Sequence, residues 1–255
     1  MRGRARGCGT VGFVGLFVLV HSPSVGPGTW SAVAGHLADA GHSVVVPSLL
    51  GVAEGGAPFW PRVVAAVNEQ VATAAEHVVA AKRRGGEDRV VLVGHSNAGV
   101  FVPVICRALD FPVDCTVLVD ATMPAVRDAT PMVPAEFLPF LRGLAGPDGL
   151  LPRWTDWWDE AEVAALLPDR AVRTKIVAEQ PRLPLAYYEE QVPVPPGWDD
   201  HRCGYLVFGE PYDVQAGEAR RRGWPVRSLP GGHLHQLVDP DGVAKILLDL
   251  AEPPR

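Results

Sequence analysis

Residues Val90 to Val100 read VVLVGHSNAGV. Three valines and a leucine run without a polar break into Gly-His-Ser-Asn-Ala-Gly. An unbroken β-branched run suits a strand buried on both faces, where neither side needs to be polar. Gly94 and Gly99 leave room for a sharp turn, and the apolar residues that follow suit a helix over Asn97–Leu109. The stretch therefore predicts strand, tight turn, helix, with Ser96 at the turn. Such a turn holds a serine in strained backbone and pushes its hydroxyl clear of the sheet. The N-terminus of the helix favours negative charge, and the amide of Asn97 would point the same way. The plainer alternative is a Gly-rich turn with a serine helix cap.

Working outward, the same rhythm repeats. Phe13–Val20 reads as a buried strand. "GTWSAVAGHLADAG" follows with apolar residues at helical spacing (Trp30, Val33, Leu37) and stops at Gly41. "HSVVVP" is a second strand, and "PRVVAAVNEQVATAAEHVVAAKRR" a long helix closed by Gly85–Gly86. After the strand before Ser96 comes another, "CTVLVDA". The alternation then breaks over residues 121–200, rich in proline and tryptophan, with helical pieces at "EFLPFLRGL", "WDEAEVAALL" and "RAVRTKIVAE". It returns as the strand "CGYLVFG", the helix "VQAGEARRRG", the strand "WPVRSL" and the helix "PDGVAKILLDLAE". Short apolar strands alternating with helices predict an α/β fold: a mostly parallel sheet of about six strands, helices on both faces. The expected organisation is a core from 1–120 and 201–255, with 121–200 inserted as a helical cap. Ligands in such sheets bind at the carboxyl ends of the strands. Three of those ends carry polar residues here: His21–Ser22, Ser96 and Asp120.

The bulk composition narrows the function. The chain has 255 residues, 47% apolar and 20% charged, with a net charge of −6. That balance gives no electrostatic reason to bind nucleic acid, and no Lys/Arg stripe is present; Arg83–Arg84 and Arg220–Arg222 read as solvated helix ends. Cys8, Cys106, Cys115 and Cys203 form no CxxC pair and no metal spacing, and Cys115 and Cys203 sit in strand-like runs as small core residues. The histidines lack ligand spacing too, so no metal or other cofactor is expected. "GHSNAG" lacks the lysine of a phosphate-binding loop. The basic start and apolar stretch of "MRGRARGCGTVGFVGLFVLV" resemble a signal peptide. The apolar stretch, however, runs directly into "HSPSVGPGTW", and cleavage there would remove a core strand. A cytoplasmic protein is the expectation, and no segment reads as a membrane span.

With these residues in place, the chain resembles the α/β-hydrolase superfamily from "FVLVHSP" to the last helix. "GHSNAG" resembles its nucleophile elbow, and "GGHLHQLVDP" the segment carrying its catalytic histidine. The resemblance makes Ser96 the nucleophile and His233 the base, with His235 the next candidate. His95 reads as structural; His36, His42 and His77 read as surface or satisfied residues. The acid is less direct. The superfamily usually places it three residues past the glycine of the strand matching "YLVFG", and Tyr212 stands there, flanked by Glu210 and Asp213. Some members, such as haloalkane dehalogenases, use the end of the strand after the nucleophile, where Asp120 stands. Asp120 is preferred, with Glu210 and Asp213 as alternatives and a turn-capping carboxylate as its plain role. The oxyanion donors depart from the pattern: the segment is His21-Ser22-Pro23, and Pro23 has no N–H. The amide of Ser24 or the hydroxyl of Ser22 is left to join Asn97.

Trp154, Trp157, Trp158, Tyr187, Tyr188 and Trp198 fall in 121–200. Trp157 and Tyr188 are the candidates for roofing an apolar pocket, although packing of the insertion onto the body explains each as well. Glu189 and Glu190 read as surface charges or pocket groups. Three functions follow as expectations. The first is a serine hydrolase acting through an acyl-enzyme on an ester, thioester or amide of a small, fairly apolar substrate. The Ala-, Arg- and Gly-rich composition is that of high-GC bacteria, where such proteins often serve secondary metabolism. The second is a lyase or cyclase, laid out like hydroxynitrile lyases, with Ser96 and His233 as an acid–base pair. The third is a non-catalytic ligand binder. The expected partner is a small molecule, and the expected state a monomer or homodimer.

Overall fold

The computed structural model describes residues 15–82 and 89–252. The basic N-terminal stretch with Cys8, the Arg83–Arg84 pair and Gly85–Gly86 lie outside the described residues, as does the side chain of His77. Eight strands are described: β1 (Gly15–Val20), β2 (Ser43–Val45), β3 (Arg89–His95), β4 (Cys115–Val119), β5 (Ala129–Pro131), β6 (Gln191–Pro193), β7 (Arg202–Val207) and β8 (Val226–Ser228). Six of them form one sheet in the order β2-β1-β3-β4-β7-β8, and every pairing in it is parallel. The chain starts in the middle, winds outward through β2, returns across β1 to β3, and then proceeds to the far edge. The reversal falls between β1 and β3, the place where an open α/β sheet leaves a crevice at its carboxyl ends.

The apolar runs are continuous because both faces are covered. In β1, Leu16, Val18 and Val20 pack into one layer of core and Phe17 and Leu19 into the other. In β3 the same alternation puts Val90 and Leu92 on the first side, Val91 and Val93 on the second. Side chains alternate along a strand, so an all-apolar strand feeds two cores at once. Helices α1 (Ser31–Asp39) and α9 (Pro240–Ala251) cover one face. Helices α2 (Trp60–Lys82), α3 (Ala98–Ala108) and α8 (Asp213–Arg221) cover the other. Full burial of a Val or Leu is worth about 1.5–3 kcal/mol over exposure, and the central strands supply most of it. The two edge strands, β2 and β8, are partly exposed along their length.

The segment between β4 and β7 contains the predicted helices: α4 (Leu138–Leu144), α5 (Glu160–Leu166) and α6 (Arg170–Glu179). Asp159 caps α5 reciprocally with Glu162, and Asp169 caps α6. It also holds elements without a sequence period: α7 (Leu185–Tyr188) and the antiparallel pair β5–β6. No helix among the described residues is long and apolar enough to cross a membrane.

Candidate active site

Ser96 stands at the turn between β3 and α3 with φ +59, a left-handed conformation that costs a non-glycine residue about 1–3 kcal/mol. Its neighbours hold it there. Its N–H donates to Val119, and its carbonyl accepts from both Gly99 and Thr122. Glycine is required on either side by close approach. A Cβ on Gly99 would lie 2.3 Å from the Thr122 carbonyl oxygen, and one on Gly94 2.8 Å from the Val102 side chain. The two glycines thus let α3 lie close against β3 and the end of β4.

Asp120, at the end of β4, also has positive φ, +44, and is 1% exposed. Its N–H donates to Leu206 at 2.7 Å. Tyr205 fixes the next residue from both sides, donating to the Ala121 carbonyl and accepting from its N–H. The carboxylate is paired twice: Oδ1 accepts from Phe208 N–H at 2.9 Å and Oδ2 from His233 Nδ1–H at 2.7 Å. Since Nδ1 donates to a carboxylate, Nε2 is the accepting nitrogen, and it takes the Ser96 hydroxyl proton in a 2.9 Å bond. Ser96, His233 and Asp120 therefore form one hydrogen-bonded line. Glu210 and Asp213 are exposed and make no bond to His233. His235 packs edge-on to Phe208, away from the serine.

Two buried histidines support this line. His95 Nε2–H donates to the carbonyl of His233 at 2.9 Å, and its ring lies against the His233 ring. Burial holds it well below the usual histidine range, so it stays neutral. His21 accepts from Leu49 N–H and donates to the Ser22 carbonyl. Burial lowers its pKa to about 4. It is a structural staple of the loop after β1. His36 is exposed, and His42 is partly buried against Phe17.

The donors for a developing oxyanion divide in two. The backbone N–H of Asn97, at the cap of α3, makes no hydrogen bond to another described residue, while its side chain donates to Met132 at 2.8 Å. In the β1 loop, the Ser24 amide turns to Ser22 Oγ at 3.4 Å, and Ser24 Oγ pairs with the Tyr188 hydroxyl at 3.0 Å. Tyr188 is thus tied to the loop that carries Ser22 and Ser24. Trp157 lies edge-on to Tyr188 and donates its indole N–H to Pro152. Tyr187 packs between Phe59 and Phe101 of the body. Glu190 accepts from Phe59 N–H ahead of α2, and Glu189 pairs with Arg142 at the surface.

Two residues at the site were not singled out as site residues by the sequence. Trp154 lies with its ring 6.0 Å from that of His233. Tyr212 stacks on the imidazole: its ring is parallel to it within 3°, at 4.7 Å. Burial pushes its phenol up to about 12, against a contact with the Ser96 side chain that pulls it down. The signal for Tyr212 was present, because it stands where the resemblance places an acid; its aromatic role was not legible. Among the described residues no group of histidine, cysteine and carboxylate side chains is arranged to hold a metal ion.

The profile of the Alpha/beta hydrolase family matches residues 17–246, and the chain belongs to that family. A search of curated proteins finds no match. Among solved structures, the chain is similar to polyneuridine aldehyde esterase (18% identity, 94% of this chain and 100% of that one, TM-score 0.64). It is similar to a pyrethroid hydrolase from Sphingobium faniae JZ-2 (18%, 94% and 98%, 0.64). It is also similar to a tomato methylketone synthase I variant complexed with β-ketoheptanoate (14%, 94% and 97%, 0.66). At such identities the likeness is one of fold.

Proposed function

We propose that the protein is a serine hydrolase that cleaves an ester, thioester or amide of a small, fairly apolar substrate through an acyl-enzyme. The observation that carries this reading is the hydrogen-bonded line from Ser96 Oγ through His233 to Asp120. Ser96 Oγ attacks the carbonyl carbon as its proton passes to His233 Nε2. Asp120 holds the imidazole in the tautomer that can accept it and balances the charge that forms. The carbonyl oxygen becomes an oxyanion beside the Asn97 N–H. His233 then protonates the leaving group as its bond to carbon breaks. A water, deprotonated by His233, attacks the acyl carbon; the Ser96–carbon bond then breaks as His233 returns the proton to Ser96 Oγ, and the acid is released. Residues 121–200 act as the cap: Trp154 faces the base, and Trp157 and Tyr188 give the apolar wall that favours a small apolar acyl group.

The second reading, a lyase with Ser96 and His233 as an acid–base pair, is favoured by one feature: Pro23 has no N–H to give an oxyanion. Losing one such donor costs about 10²–10³-fold in acyl transfer. Intact-mass spectrometry after exposure to a fluorophosphonate separates the two. The expected result is one adduct, absent in Ser96→Ala and His233→Ala. A folded wild-type chain that takes no adduct would leave the lyase as the working model.

A further inference from the structure

We propose that Phe140 and Trp158 form an aromatic platform continuous with the site, and that the substrate carries an aryl group a few bonds from the carbonyl that Ser96 attacks. This rests on the serine-hydrolase reading above. Exposure comes first. Among the described residues, Phe140 and Trp158 are the large aromatic side chains left exposed, at 40% and 41%. They are not scattered: their rings lie 6.5 Å apart, 30° from parallel. Phe140 is backed by Phe137 at 5.1 Å. Two arms of ring contacts leave this pair, and both end on the proposed site. One runs from Trp158 to Trp154, edge-on at 6.5 Å, and from Trp154 to the imidazole of His233 at 6.0 Å. The other runs from Phe140 to Trp157 at 6.4 Å, then to Tyr188 at 5.7 Å, whose hydroxyl meets Ser24.

Buried polar groups hold these rings in place. Trp154 and Trp157 belong to a single 3₁₀ turn. Within it, the N–H and the hydroxyl of Thr155 both donate to Gln180 Oε1, each at 3.0 Å, and Gln180 is 4% exposed. The Trp157 indole N–H is fixed on the Pro152 carbonyl. The turn is therefore set before a ligand arrives, and little ordering is left for binding to impose. Packing alone explains an aromatic residue such as Tyr187, fully buried against Phe59 and Phe101. It does not explain two adjoining rings kept in water, where apolar surface is unfavourable. Single exposed apolar side chains need no explanation, but a contiguous patch marks a binding surface, and this one leads to His233. Geometry makes the occupant aromatic rather than aliphatic. A ring that joins edge-on or offset gains an electrostatic contact with its aromatic neighbour that a saturated ring of the same shape does not.

The test uses the full chain and two fluorophosphonates that differ only at the end of a butyl arm, one carrying phenyl and the other cyclohexyl. In each labelling the Ser96 Oγ–P bond forms, the P–F bond breaks, fluoride leaves and the serine proton passes to His233. The readout is the ratio of the two second-order labelling rates, followed by intact mass. Both probes meet the same preparation, so a variant that folds less well loses rate with both and keeps its ratio. Wild type is expected to label faster with the phenyl probe by about two- to tenfold, the increment of one aromatic pair. Trp158→Leu and Phe140→Leu keep apolar bulk and remove a ring, and each is expected to bring the ratio to one or below. Equal rates on wild type overturn the proposal and leave the nucleophile reading standing. Equal rates together with a dimer in sedimentation that Trp158→Leu dissociates would give the platform to a second copy of the chain instead. A phenyl preference that survives in both variants also overturns the proposal, because the selectivity then belongs to other rings. Wild type that takes neither label overturns the nucleophile reading and this proposal together, so labelling of wild type tells the two failures apart.

Discussion

Helix α3, beneath the nucleophile, buries eight of its eleven residues. Helices α4, α5 and α6, between β4 and β7, each bury one: Leu141, Val163 and Ile176. The rest of residues 121–200 is held by area as the sheet is: Met132, Leu151, Leu183, Tyr187, Val192 and Trp198 pack into the same core as β1 and β3, and a few polar ties are added to that contact. Glu179 accepts from Gly28 N–H, Asn97 donates to Met132, Glu190 accepts from Phe59, and Tyr188 meets Ser24. Each tie joins residues 121–200 to the rest of the chain, two of them through Asn97 and Ser24 beside the proposed site. Helices α4, α5 and α6, with one buried residue each, are where local opening costs least, whereas the sheet opens only with the whole protein.

This contrast can be broken at several points. The largest effect belongs to Asp120→Asn. If the new side chain keeps its oxygen on the Phe208 N–H, its amide nitrogen faces His233 Nδ1 and forces the wrong tautomer. Fluorophosphonate labelling is expected to slow by about 10⁴-fold with the fold retained. A loss below tenfold would remove Asp120 from the mechanism.

Acid comes next. His21 has a folded-state pKa of about 4 against an ordinary 6.5, so the unfolded chain binds its proton first. Its contribution is fully present above pH 6.5 and is lost as pH falls through 4, amounting to about 3 kcal/mol. Buried His95 adds to the loss in the same direction. Urea melts at stepped pH measure the slope, and His21→Gln, which can still accept and donate, is expected to flatten it between pH 6.5 and 4.

Gly99→Ala probes the core directly. Its methyl would collide with a backbone oxygen, which cannot rotate away. A cost of about 1–3 kcal/mol is expected in a urea melt. Glu179→Gln is the smallest change. It weakens the tie to Gly28 by about 1 kcal/mol, visible as faster hydrogen exchange in α6 with the global melt unmoved. Slower exchange, or a shifted global midpoint, would mean that insertion and core unfold as one.

The sheet was legible because its signal is periodic and redundant. The central strands carry short apolar runs, and β1, β3 and β7 are each followed by a helix with its own spacing. The helices α5 and α6 were legible as the helical pieces "WDEAEVAALL" and "RAVRTKIVAE", while their caps, Asp159 and Asp169, emerge from the structure. The pair β5–β6 was not: each strand is three residues and contains a proline, so no alternation can develop. At the site, Ser96, His233 and Asp120 were readable as types at strand ends. Their line of hydrogen bonds depends on the register of β3, β4 and β7, which no local pattern encodes. Tyr212 escaped for the same reason. A tyrosine before a helix looks like packing until the fold lays it on an imidazole.

His233 follows Ser96 by 137 residues, and the two meet only after β7 and β8 have joined the sheet. This fixes when in the life of a chain the chemistry can begin. During synthesis the earlier part can form β1 to β4 and present a serine without a base. On the serine-hydrolase reading, a nascent chain holds Ser96 without its base until the segment from β7 to His233 has emerged and docked.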